Sequence, residues 1–209
     1  MAIKCILFDA DGVVINSEMF SVQYQKEHDV SNDEMLPFFI GEFQNCIVGK
    51  ADLIELVKPW LPKWKWTDSV DHFLQFWFKA EHNIDERMVN KIKKLRKKGI
   101  KCYLATNQEK YRTQYMKNHM GFEELFDHVF SSADIGHKKP EKEFYEFILN
   151  EIKHEHKIYP HEILFFDDSK GHVDSAKELD IDAHFYENFD EFEELINPLL
   201  DEGTPSRGH

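Results

Sequence analysis

Residues 3–14 read Ile-Lys-Cys-Ile-Leu-Phe-Asp-Ala-Asp-Gly-Val-Val. A short, apolar, β-prone run from Ile3 to Phe8 stops at Asp9-Ala10-Asp11-Gly12. Continuous apolar residues, rather than an alternating pattern, predict a strand covered on both faces, with a polar turn at its carboxyl end. The pattern recurs down the chain. Strands are predicted at Ile100 to Ala105, His128 to Ser131, Ile163 to Phe166 and Ala183 to Tyr186. Between and after them lie helical stretches at Gln108 to Met120, Pro140 to His154, Gly171 to Leu179 and Phe189 to Leu200. Buried strands alternating with helices predict an α/β domain built on a doubly wound parallel sheet.

Residues 16–84 break this rhythm. They hold several helix-like apolar patterns, no buried-strand run, and all four tryptophans, Trp60, Trp64, Trp66 and Trp77. An inserted, all-helical unit is expected here, with the α/β domain made of residues 1–15 and 85–202 and a polar, frayed tail over 203–209. Phe73, Leu74, Phe76, Trp77 and Phe78 crowd one helix, so it should be buried on more than one side or rest against the α/β body. The aromatic cluster reads as core rather than as a ligand cage.

The composition fits a folded chain: 42% of 209 residues are hydrophobic and 14% aromatic. Asp and Glu number 39 against 26 Lys and Arg, and the net charge of −13 opposes binding to nucleic acid or anionic lipid. No apolar run approaches the ~20 residues that span a bilayer, and the stretch before Asp9 is too short for a secretory signal. A cytoplasmic protein is expected. Cys5, Cys46 and Cys102 are too few and too widely spaced for a disulfide framework or a metal knuckle, and read as reduced packing residues. Glu187 to Glu202 holds seven acids and Lys91 to Lys101 seven bases. The basic run suits a helix with Met88, Ile92 and Leu95 inward, ended by Gly99, whose lysines form a solvated face.

In doubly wound sheets, ligands bind beyond the carboxyl ends of the strands. Here those ends carry Asp9-Ala10-Asp11-Gly12, then Thr106-Asn107, then Lys138-Lys139-Pro140, and finally Asp167-Asp168-Ser169. Each alone could be a turn, a helix N-cap or a helix start. Four polar groups in chain order at the ends of one sheet are hard to ascribe to capping. No GxxxxGK[ST] or GxGxxG loop is present.

The set resembles the haloacid dehalogenase-like hydrolase superfamily, whose four motifs match Asp9-x-Asp11-Gly12, Thr106, Lys139-Pro140 and Asp167-Asp168. The resemblance covers nearly the whole chain and implies a Rossmann-like core with a small helical cap between motifs one and two. It further implies a phosphatase. Asp9 would be the nucleophile and form an aspartyl-phosphate, and Asp11 would act as acid for the leaving alcohol and then as base for water. Thr106 and Asn107 would hold phosphate oxygens, with Lys139 as the positive charge beside them. Asp9, Asp11, Asp168 and Asp167 would gather magnesium. The chemistry requires such cations: two unit charges of like sign ~4 Å apart cost ~4 kcal/mol at an effective dielectric near 20. Relatives that cleave carbon–halogen bonds usually lack the second aspartate, so Asp11 favours phosphoryl transfer.

One departure stands in motif four, where many members have Gly-Asp and a further aspartate four residues on. Here Asp167 precedes Asp168, and the later position is His172, which reads as a metal ligand or, the commoner case, as an exposed helix residue. Asp168 is expected as the direct ligand, with Asp167 binding directly or through water. Gly49-Lys50 falls where related caps carry a specificity loop, so Lys50 is a candidate contact to the leaving group. The gap-free position of the mutases' cap-hinge histidine holds Ser21, which favours a phosphatase over a phosphomutase. A non-catalytic binding member is the third reading. The partner expected is a small phosphorylated molecule, with no nucleic acid or membrane and with monomer and homodimer both open.

Overall fold

In the computed structural model, which describes residues 2–201, the opening apolar run forms strand β1 (Cys5–Phe8) at the centre of a five-stranded sheet. The elements that follow are α1 (Phe20–His28), α2 (Asn32–Ile40), α3 (Phe43–Ile47), α4 (Leu53–Val57), α5 (Val70–Ala80) and α6 (Glu86–Lys97). Then come β2 (Lys101–Thr106), α7 (Lys110–His119), α8 (Phe122–Leu125), β3 (His128–Ser131), α9 (Ser132–Ile135) and α10 (Lys142–His156). The chain continues through β4 (Ile163–Asp167), α11 (Lys170–Lys177), β5 (Asp182–Phe185) and α12 (Phe189–Asp201). Every pairing is parallel and the strand order is β3-β2-β1-β4-β5, so the fold is the doubly wound α/β sheet expected. Predicted and observed ends differ by one or two residues, as at β1, which starts at Cys5 rather than Ile3. The tail at 203–209 lies outside the described residues.

Successive strand residues point to opposite faces, so each strand supplies two cores. Ile6, Phe8, Leu104 and Phe166 pack with Met88, Ile92 and Leu95 of α6 and with Phe192 of α12. On the opposite face Leu7, Tyr103 and Phe165 meet Phe144 and Ile148 of α10 and Val173 of α11. This is why the strands read as continuous apolar runs. The basic helix departs from expectation at one residue: Lys91 is buried, and its Nζ donates to Glu193 Oε1 at 2.6 Å and Asn197 Oδ1 at 2.9 Å. The acidic and basic runs therefore meet across α6 and α12, and Lys91 belongs to the packing rather than to a solvated face.

Helices α1 to α5 form a cap with its own aromatic core, including Phe20, Tyr24, Phe38, Trp64, Phe73 and Trp77. On α5 the buried residues Phe73, Leu74, Trp77 and Phe78 make one broad stripe, with Asp71, His72, Gln75 and Lys79 exposed. The helix also rests on the body, as Phe78 lies 5.4 Å, centroid to centroid, from Tyr115 of α7. Two crossing strands of chain join cap to core: Asn16 N donates to Asn83 O at 2.8 Å, and Asp85 N to Val14 O at 2.9 Å. A second seam forms at Gly49. Its φ is +67°, and an added Cβ would lie 2.3 Å from the Ala133 carbonyl oxygen, so the approach of cap to core there requires glycine.

Candidate active site

Sheet pairing brings the motif residues together. Asp9 N donates to Phe166 O at 2.9 Å, which extends the β1–β4 ladder to the residue bearing the carboxylate. The chain then turns sharply, with Val14 N and Ile15 N both donating to Ala10 O, at 2.9 and 2.8 Å. Gly12 sits in this turn at φ +79°, and a Cβ there would stand 2.0 Å from Asp168 Oδ2. Only glycine admits both the backbone conformation and the approach of Asp168.

Lys139, delivered by the loop between α9 and α10, is 2% exposed, and its Nζ bridges Asp9 Oδ1 at 2.8 Å and Asp167 Oδ2 at 2.6 Å. Asn107 holds that loop by both ends of its amide: Oδ1 accepts from Lys139 N at 2.8 Å and Nδ2 donates to Lys139 O at 2.9 Å. Its side chain is thus spent on positioning Lys139, which leaves its backbone N–H as the group that could meet a phosphate. Thr106 ends β2 on the neighbouring strand and is buried.

Two carboxylates share one ammonium in this buried place. Burial, reinforced by the charge of Asp167, pushes the Asp9 carboxyl far above its ordinary range against the pull of Lys139. Burial also acts upward on Asp167, but hydrogen bonding to His172 and the charge of Lys139 outweigh it and hold that carboxyl below its ordinary range. Lys139 is held above the ordinary lysine range because Asp9 and Asp167 outweigh its desolvation. The surplus negative charge asks for a further cation, and this is the observation that magnesium fits. Ligand atoms of Asp9, Asp167 and His172 all lie within 4.8 Å of one another. Both oxygens of Asp167 are already engaged, however: Oδ2 by Lys139, and Oδ1 by Ser169 N at 2.8 Å and His172 Nδ1 at 2.9 Å. The exposed Asp168, lying over Gly12, and the oxygens of Asp9 are the donors suited to a hard divalent ion. His172, for which the exposed helix residue is the commoner reading, is half-buried and a hydrogen-bond partner of Asp167.

Asp11 has partners that the sequence did not suggest. Arg112 of α7 grips its carboxylate with both Nη groups, at 2.7 and 2.9 Å, and Gln108 Nε2 donates to Oδ2 at 2.5 Å. The same guanidinium reaches Glu81 Oε2 at 3.2 Å, and Glu81 Oε1 accepts from Phe20 N at 3.1 Å. A continuous polar chain therefore runs from Asp11 in the core to the first turn of the cap. The signal in the sequence was faint: Arg112 shares the inward face of α7 with Thr113 and Met116, where a buried arginine demands carboxylate partners.

Lys50 is not brought to this site. It is exposed and borders a separate depression with Asp52, Lys110, Tyr111 and Asp134. Gly49 beside it serves the seam with Ala133, so the cap loop is used for docking. A cavity of about 360 Å³ opens instead between Asp11, Gln108 and Arg112 on the core and Phe20, Phe43 and Trp77 on the cap.

A sesquiterpene phosphatase of Aspergillus oryzae is 33% identical over 94 residues, a match spanning 44% of this chain and 45% of that protein. A HAD family enzyme of Bacteroides thetaiotaomicron superposes with a TM-score of 0.78 over 93% of this chain and 98% of its own, at 21% identity. In another structure of that enzyme, with magnesium and inorganic phosphate, the TM-score is 0.74 over 91% of this chain and 99% of the other, at 22% identity. A HAD-like hydrolase of Porphyromonas gingivalis gives 0.77 over 97% and 100% of the two chains, at 21% identity. The sequence profile of the haloacid dehalogenase-like hydrolases matches residues 3–180, a span that contains all four polar strand ends and the helical insertion, and the chain belongs to that family.

Proposed function

We propose that this hydrolase is a magnesium-dependent phosphatase acting on the phosphate monoester of a small molecule. The observation that carries the reading is the buried Asp9–Lys139–Asp167 arrangement with Asp11 two residues beyond the nucleophile. The Thr106 hydroxyl, the Asn107 backbone N–H and the Lys139 ammonium hold phosphoryl oxygens. An Asp9 carboxylate oxygen then forms a bond to phosphorus as the bond from phosphorus to the alcohol oxygen breaks. Asp11, here an acceptor in the Arg112 fork, must leave that fork and carry a proton to give it to the departing alcohol, and it then takes one from the water that cleaves the aspartyl-phosphate and frees inorganic phosphate. Asp9 and Asp168 would hold magnesium, whose charge, when bound, offsets the repulsion between a carboxylate and a phosphate ester. Asp167 orients Lys139, and Asn107 fixes the loop that carries it. The similarity to a sesquiterpene phosphatase and the magnesium and phosphate in a structure of the Bacteroides enzyme support this reading.

Hydrolysis of p-nitrophenyl phosphate in magnesium, its loss in excess EDTA and its return on adding magnesium are the expected results. Full activity in EDTA would rule out the metal, and no turnover in magnesium would leave a binding protein.

A further inference from the structure

The cavity between cap and core meets Asp11, the residue facing the leaving group in the proposed reaction, and its walls state what that group should be. We infer that the cavity takes an apolar chain, so that the substrate is the phosphate monoester of a hydrocarbon-like alcohol; this rests on the phosphatase reading above.

Three observations support it. Away from Asp11 the broad walls are Phe20, Phe39, Phe43, Ile47 and Trp77, with Ser17, Glu18, Ser21 and Asn32 as the polar members of the lining, and the volume of about 360 Å³ lies within the ~300–1,000 Å³ common for small-ligand sites. Most polar groups of the lining are already paired, Arg112 Nε and Trp77 Nε1 being buried donors without a partner among the described residues. Asp11 is bound by Arg112 and Gln108, the Nη groups of Arg112 by Asp11 and Glu81, and Glu81 also by Phe20 N. A sugar hydroxyl or a second phosphate entering there would lose water and find those groups engaged, whereas a hydrocarbon loses nothing of that kind. Finally, two large apolar side chains stand exposed at the mouth beside Glu18 and Asn32: Met19 is 64% exposed and Leu36 41% exposed. Large apolar side chains left in water around one opening are what a chain projecting from it would cover.

The test compares acetyl, butyl, octyl, glycerol and hexose phosphates, with octyl phosphate kept below its micelle concentration. Burial of four further methylenes predicts a rise in kcat/KM of at least about tenfold from butyl to octyl phosphate, with glycerol and hexose phosphates the poorest. Leu36→Glu, at the exposed rim of the cavity, should abolish that rise with circular dichroism unchanged, and a rise that persists in this variant would overturn the inference. Equal rates across the alkyl series, or preference for the hexose ester, with acetyl phosphate still hydrolysed, would overturn the inference and spare the phosphatase reading. Failure with every ester would overturn that reading, and binding then decides the inference. Octyl phosphate, but not inorganic or glycerol phosphate, should change the tryptophan emission of the resting protein through Trp77; no change would reject the apolar site.

Discussion

The floor of the site and its roof are built from opposite materials. On the floor, Asp9, Asp167 and Lys139 are buried ionisable groups, and each is anchored by a backbone hydrogen bond and by the ion pairs that join the three. In the roof, Phe20, Phe39, Phe43 and Trp77 are held by ring contacts such as the stacked Phe20–Trp77 pair, 4.6 Å between centroids. Buried charges tolerate little displacement, because losing one partner leaves an uncompensated charge. Apolar contacts are non-directional and survive substitution if volume is kept. The floor is therefore suited to a constant chemical step, and the roof to a substrate preference that can change without disturbing it.

The largest effect should come from Asp9→Asn. An amide of nearly the same size cannot supply the nucleophile, so kcat on p-nitrophenyl phosphate should fall by about ten-thousandfold or more with circular dichroism unchanged. Retention of a tenth of the activity would take the nucleophile away from the floor altogether. Asp11→Asn tests the boundary between floor and roof. An alkyl ester should lose about 100- to 10,000-fold in kcat/KM, and a nitrophenyl ester far less, because a phenolate departs without a proton. Intact mass spectrometry should also detect trapped phosphoenzyme with the nitrophenyl ester. Equal losses on both esters with no added phosphoryl mass would reject the acid/base assignment.

Arg112→Ala attacks the connection itself, since Arg112 ties Asp11 to Glu81. With the buried Glu81 left unpaired, unfolding in urea should show a loss of about 3–5 kcal/mol. A loss below about 1 kcal/mol would mean that floor and roof are coupled through apolar packing alone.

Glu109 offers a smaller, pH-dependent effect at the same seam. It caps α7, accepting from Tyr111 N at 2.7 Å and from Arg112 N, and burial pushes its carboxyl up to about 7 from an ordinary 4.5. Between those values the folded state holds a proton that the unfolded chain has released. That stabilisation is complete below about pH 4.5 and is lost as pH rises through about 7, at most about 3 kcal/mol in all. Glu109→Gln should remove this slope. Wild-type and variant urea-unfolding curves that shift in parallel between pH 5 and pH 8 would show that Glu109 is already ionised in the folded protein.

Some of this was legible in the linear chain because it depends on neighbours. An apolar run followed at once by polar residues describes a buried strand and its exposed end, and β1 with Asp9 and β4 with Asp167 are cases of it. Arg112, Glu81 and Lys91 were not legible for the converse reason. Each acquires its meaning from a partner far along the chain: Arg112 from Asp11 101 residues away, Lys91 from Glu193 102 residues away. Lys50 erred in the other direction, since its position in a cap loop suggested contact with a ligand, and the docking of Gly49 on Ala133 turned that loop to a different depression.

By itself, the sequence determined that a parallel sheet would form, where its strands would end, and which chemical groups would stand there, because strand burial and turn polarity are local properties of the chain. Tertiary structure alone decided how those groups are shared. Asp167 is committed to Lys139 and His172, which leaves Asp168 free at the surface, and Asp11 is held in an arginine fork beneath an aromatic roof. The physical reason is that a charge removed from water must find its partner in space, and the fold, not the order of residues, brings that partner within hydrogen-bonding distance.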